Sequence, residues 1–167
     1  ITAPVNHQLT NVGGQLVTGN VSDPSIATAS LYVNNESQTI SVAPDGSFSQ
    51  LVSLRLGPNT ISVWVTDNAS NTGKSGIVHV KLDNTPPTII VGLGDPTDSM
   101  IINVTSSETL ATGLAVSVDT TPVTMTRTAA TKWIGSFGSS GSPITAGAYT
   151  VTVHGTDMAG NPTTKTA

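Results

Sequence analysis

GPNTISVWVTDNASN, residues 57–71, decides the fold. From Ile61 to Thr66 apolar and polar side chains alternate, the period of a half-buried β-strand, and the run ends in a cluster of turn-forming residues. The alternation sends Ile61, Val63 and Val65 to a core and Ser62, Trp64 and Thr66 outward. The stretch then recurs. Residues 147–161 read GAYTVTVHGTDMAGN, and Gly57, Val63, Asp67 and Asn71 fall on Gly147, Val153, Asp157 and Asn161 without a gap, an offset of 90 residues (147 − 57). In the second copy Tyr149, Val151 and Val153 point inward, and Thr150, Thr152 and His154 outward. A further echo sets TAPV (2–5) against TPPT (85–88), an offset of 83 residues (85 − 2), so the two copies differ in loop length.

Working outward, LDNTPPT (82–88) is the natural boundary, because two adjacent prolines cannot continue a sheet ladder and they stiffen the chain. It divides the sequence into 1–84 and 85–167. In the first part, period-two runs between turn signals predict strands near 4–9, 15–22, 27–34, 38–43, 47–56, 60–67 and 75–82. In the second they predict strands near 88–93, 99–106, 114–119, 123–128, 132–138, 148–156 and 162–166. PDGS (44–47) reads as an Asp-Gly hairpin turn. Phe48 and Trp133 occupy matching positions on the fifth strands and are expected as core anchors. Seven short antiparallel strands per part make the expected fold all-β: two tandem immunoglobulin-like sandwiches joined by a short Pro-Pro linker.

Composition agrees. Of 167 residues only 10% are charged, Ser and Thr make up roughly a quarter, and no Ala/Leu/Glu/Lys run keeps a helical period. Cysteine is absent, which excludes disulfides, thiolate catalysis and Cys-ligated zinc. The net charge is −4 with six scattered Lys and Arg, so the basic stripe of a nucleic-acid binder is missing. No apolar run approaches the ~18 residues of a membrane span.

The pattern DGSFSQLVSLRLGPNTISVWVTDNASN, followed by a strand and LDNTPPTI, resembles bacterial and archaeal Ig-like repeat domains of secreted surface proteins. VTSSETLATGLAV with GAYTVTVHGTDMAGN is similar to a sister type of the same modules. The resemblance implies a structural spacer or stalk segment of a larger surface or filament-forming protein of adhesin, S-layer or secreted-glycosidase type. The alternative is a carbohydrate- or protein-binding accessory module. Either reading places the chain outside the cell or on its surface. The partners are neighbouring Ig-like domains of the same polypeptide or of identical subunits, or a cell-surface glycan or protein.

Nothing in the sequence reads as an enzyme. His7, His79 and His154 lack a nucleophile setting, Gly-x-Ser-x-Gly does not occur, and the acids sit in turns rather than facing one cleft. Trp64, expected on an outer sheet face, is the candidate surface contact: a sugar platform, or an indole lying flat under its neighbours. Asn20, Asn35, Asn68 and Asn103 head glycosylation sequons, a number that arises by chance in a Ser/Thr-rich chain. In a seven-strand sandwich the even-numbered turns share the pole where the chain enters. Asp83, Asn84, Glu108, Asp157 and Asn161 would then converge, and the resemblance implies calcium there, an ion that takes six to eight oxygen ligands. The competing reading has Asp157 and Asn161 hold a tight turn through side-chain to backbone hydrogen bonds. Asp23, Asp45 and Asp67 form the weaker counterpart in the first copy.

Only six residues follow Asn161 (167 − 161). The last strand of the second copy is therefore expected to be short, to pair near 151–156, and to leave Ala148–Thr150 without a final neighbour. Either the sequence is a cut from a longer chain, or a strand from another molecule completes the sheet, with Ile1–Leu9 as the candidate donor.

Overall fold

The computed structural model describes residues 1–23, 25–94, 99–138 and 147–167. The described residues form sixteen strands and no helix, and the chain divides into two compact units, Ile1–Asn84 and Thr85–Ala167.

Unit 1 holds β1 (Gln8–Thr10), β2 (Gly14–Asn20), β3 (Ile26–Val33), β4 (Glu36–Thr39), β5 (Ser47–Ser53), β6 (Gly57–Asp67), β7 (Thr72–Lys74) and β8 (Val78–Leu82). The larger sheet runs β1-β8-β6-β3-β4 with β7 also on β6; β2 and β5 pair in a second sheet. Buried Leu31, Ile61, Val63 and Val80 of the first sheet share one core with Val17, Phe48 and Val52 of the second. The period-two pattern fixes which residues these are. Phe48 is a core anchor, as expected, and its ring packs onto Gly19. A methyl group there would lie 2.5 Å from the ring, so this strand position requires glycine.

Three details of unit 1 depart from the sequence reading. The expected first strand at 4–9 is broken. Thr2 and Ala3 pair with Thr18 of β2, and the chain then crosses to the other sheet, where β1 runs parallel to β8. Pro4 has no N–H to extend the first ladder, and His7 adopts φ 65°, which interrupts the pleat. The expected last strand at 75–82 starts only at Val78, as β8, and an unexpected short strand, β7, precedes it. Between them Ser75 donates its N–H to the Val63 carbonyl and accepts the Val63 N–H on Oγ, so a side chain takes one place in the ladder. The tight two-residue hairpin lies at Asn34-Asn35 (φ 51° and 70°), between β3 and β4. At PDGS only Gly46 takes positive φ (83°).

Unit 2 holds β9 (Ile89–Leu93), β10 (Met100–Ser106), β11 (Ala115–Val118), β12 (Thr121–Val123), β13 (Met125–Ala129), β14 (Lys132–Phe137), β15 (Val151–Thr156) and β16 (Pro162–Thr166). Its sheets run β13-β14-β10-β9 and β12-β11-β15-β16. Ile102, Val104 and Trp133 from one face Val116, Val118, Val151 and Val153 from the other. The segment 88–93, written as a strand from its Val/Ile run, begins the unit by pairing with β10.

The short last strand pairs as expected: β16 covers β15 from Thr152 to Thr156, and Val151 exchanges two backbone hydrogen bonds with Ala167. Residues 148–150 are not strand, and Thr150 is bonded to Asp119 through both its N–H and its carbonyl. The donor role expected of Ile1–Leu9 is corrected. That segment uses its backbone groups inside its own unit, on Thr18, His79 and β8.

Candidate functional site

Asp67 and Asp157 end the two long hairpin strands, and each holds the following turn in the same way. Asp67 Oδ1 accepts the N–H of Ala69 and of Asn71, both at 2.8 Å, and Oδ2 accepts the Asn71 amide at 2.8 Å. Asp157 Oδ1 accepts the N–H of Ala159 and of Asn161 at 2.8 Å, and Oδ2 accepts the Asn161 amide at 2.7 Å. The spacing Asp-x-Ala-x-Asn is what this requires. The carboxylate reaches the amides two and four residues on, and the position before Asn takes positive φ, as Ser70 at 70° and Gly160 at 96°.

Burial separates the two turns. Asp157 and Asn161 are 1% and 6% exposed, whereas Asn71 is exposed and Asp67 half-buried. Each Asp has a backbone neighbour: Leu110 bridges to Asp157 and Ala111 donates its N–H to Thr156, while in unit 1 Ile26 pairs with Asp67 and Asn68 donates its N–H to Ser25. For Asp157, burial pushes the pKa up, but the hydrogen bonds from Asn161, Ala159 and Gly160 outweigh it and the carboxyl lies below its ordinary value. The carboxyl of Asp67 is also lowered, by the Asn71 side chain first, and that of Asp45 by the Ser47 hydroxyl and N–H.

The other expected ligands fall as follows. In unit 2, Ser106 donates to Thr131, Ser107 donates to Thr88, and Leu110 bridges to Asp157. Half-buried Glu108 therefore stands at the same end of its sandwich as the Asp157–Asn161 turn. Asp83 and Asn84 close unit 1. Asp83 donates its N–H to Thr10 and receives the Lys81 ammonium at 3.1 Å. In unit 1 Asp23 caps Ser25 and Asp45 caps Ser47, each serving its own turn. Among the described residues, no three His, Cys, Asp or Glu side chains group so as to hold a metal ion.

Trp64 does stand on the outer face of β6, 37% exposed. It has company that the sequence reading missed. Tyr32 on β3 lies 4.5 Å from it between ring centres, and the Lys74 ammonium sits 3.6 Å above the indole from β7, on the other side of β6. The signal was present: in LYV, Leu31 points inward, so Tyr32 must point outward, onto the strand that pairs with β6. Tyr32 and Lys74 thus flank the indole from the two neighbouring strands. Asn59, also missed, is buried and satisfied on every side. Its Oδ1 accepts from Arg55 N–H (2.9 Å) and Asn34 Nδ2 (2.7 Å), and its Nδ2 donates to the carbonyls of Arg55 (2.7 Å) and Gly57 (2.9 Å).

With one sandwich core in each unit, the fold matches known ones. Residues 1–83 match the model of the family described as glucodextranase, domain B. The domain B match thus spans nearly all of unit 1, an Ig-like module. Over almost its whole length the chain is also similar to the solved fibronectin(III)-like modules of CbhA from Clostridium thermocellum. There the TM-score is 0.52 at 14% identity, with 98% of this chain and 88% of that chain covered. A solved structure described as giving insight into the host cell surface retention of a bacterial ice-binding adhesin gives a TM-score of 0.54 at 21% identity, covering 93% of this chain and 56% of that chain. At these identities the likeness is one of fold. Together with the domain B match it bears out the Ig-like resemblance read from the sequence. No curated protein matches the chain.

Proposed function

We propose that this chain is a structural spacer: two tandem Ig-like modules, joined at Pro86-Pro87, within a larger extracellular or cell-surface protein, with no catalysis of their own. The observation that carries the reading is the use of the acids. In both units the carboxylates at the strand ends accept hydrogen bonds from their own turns, Asp67 from Ala69 and Asn71, Asp157 from Ala159 and Asn161. A side chain engaged in this way rigidifies a module rather than reacting with a substrate. The glucodextranase domain B match and the likeness to fibronectin(III)-like modules and an adhesin support the same reading. Stretching the single chain by force spectroscopy tests it. A spacer gives two separate unfolding events, one per module, unaffected by added glycans; a single event would overturn it.

The second reading, a glycan- or protein-binding accessory module, draws on the exposed Tyr32–Trp64 pair. It requires Lys74 to leave the indole before a sugar ring can stack. Oligosaccharide binding that disappears in Trp64→Ala would favour it over the spacer.

A further inference from the structure

Two histidines 72 positions apart (79 − 7) meet on unit 1. The ring centres of His7 and His79 are 5.6 Å apart and their planes differ by 8°. Backbone bonds fix this meeting. His7 donates its N–H to the His79 carbonyl at 2.7 Å, and His79 donates its N–H to Asn6 Oδ1 at 2.8 Å. From there β1 continues parallel along β8, with Gln8 opposite Val80. His7 reaches its place only by adopting φ 65°, a conformation uncommon outside glycine. Both imidazoles are exposed, and they edge a shallow cleft with Gln8, Pro58 and Lys81. The spacer function makes no use of this pair.

We infer that His7 and His79 form a binding site for a divalent transition-metal ion of zinc type, each supplying one ring nitrogen. Imidazole is the nitrogen ligand such ions favour, in contrast to the carboxylates and carbonyls of calcium sites. With a metal–nitrogen bond of ~2.1 Å, two imidazoles on one tetrahedral ion hold their ring centres about 5–5.5 Å apart. The observed separation of 5.6 Å is close to this spacing. The hydrogen-bonded backbone already places both rings, so the second imidazole joins the ion intramolecularly. Lys81 is the nearby cation that opposes a metal, and its ammonium is held by Asp83 at 3.1 Å. Two positions on the ion are left for water or for a donor from another molecule.

Titration of the intact chain with zinc chloride, followed by the imidazole NMR signals, tests the site. The His7 and His79 signals should move together at one equivalent, while those of His154, hydrogen-bonded to Thr164, stay in place. His7→Asn, which tolerates positive φ, and His79→Gln should each weaken zinc binding roughly tenfold or more, because each removes the intramolecular second ligand. Melting of the metal-free variants checks that unit 1 is still folded. The inference is overturned if zinc moves only one of the two imidazoles, or neither. It is equally overturned if the affinity is unchanged in a folded His7→Asn or His79→Gln chain.

Discussion

The turns at Asp67 and at Asp157 share one motif, one set of three carboxylate hydrogen bonds and the same pair of backbone bonds, yet they differ in their access to water. In unit 1 the turn stands open. In unit 2 both Asp157 and Asn161 are buried. Local sequence therefore dictates the geometry, while burial sets the energetic weight. Open amides released from Asp67 can turn to water, but buried amides released from Asp157 cannot, and a buried unsatisfied donor carries the full cost of its desolvation.

The largest expected effect follows directly. Asp157→Ala leaves the N–H groups of Ala159 and Asn161 and the Asn161 amide without their acceptor, and should destabilise unit 2 by about 3 kcal/mol. Asp67→Ala removes the same bonds in water and should cost distinctly less. Amide hydrogen exchange at residues 159 and 161 against 69 and 71, together with denaturant unfolding, reads both. Equal losses in the two units would break the comparison.

Next comes a contrast at the matched positions 59 and 149. Asn59 stitches the 55–59 turn to Asn34 with four hydrogen bonds in a buried site, whereas Tyr149 packs edge-on to Phe137, 5.8 Å between ring centres. Asn59→Ala should cost unit 1 about 2–3 kcal/mol, since partners on several sides lose a buried acceptor or donor. A cost below that of an exposed Asn→Ala change, such as Asn68→Ala, would remove Asn59 from this role.

Acid sharpens the comparison further. The folded pKa of Asp157 is depressed below its ordinary 3.8, so its contribution is fully present above that value and is lost as the pH falls through the folded pKa. The stability gap between the natural chain and Asp157→Asn should therefore shrink as the pH is lowered below 3.8. Asp67 has the same sign, but it is only half-buried and should give a weaker, more salt-sensitive trend. A gap in unit 2 that widens in acid would reverse the assignment.

How much of this was legible in the sequence follows a division between local and distant. Strands such as β2, β3, β10 and β14 lie within a residue or two of their expected ends, because alternation and turn residues are local signals. Phe48 and Trp133 were legible as anchors for the same reason, and so was the Asp-x-Ala-x-Asn turn. The sheet switch at Pro4–His7 was not, since a parallel β1–β8 pairing depends on a partner some 70 residues away (80 − 8 = 72). Tyr32 beside Trp64, and His7 beside His79, are cross-strand neighbours that only register reveals. The unequal burial of two identical turns has no counterpart in their own residues.

The smallest expected effect concerns calcium. Turn-holding already engages Asp157 Oδ1 twice and Oδ2 once, all at 2.7–2.8 Å, so an ion bound there would compete with bonds that fold the chain. Calcium also needs six to eight oxygens, and among the described residues Glu108 is the other carboxylate placed at that end of unit 2. On this argument, adding calcium or EDTA should leave the thermal midpoint of unit 2 unchanged. A bound ion would instead add about 1.4 kcal/mol at ten times its dissociation constant, a shift of several degrees for a domain of this size. If calcium produces that shift and Asp157→Asn or Glu108→Gln abolishes it, the carboxylates are ligands as well as turn formers. The Asp67 turn is the control: with the same three bonds and more access to water, it should respond to calcium no more than the rest of unit 1.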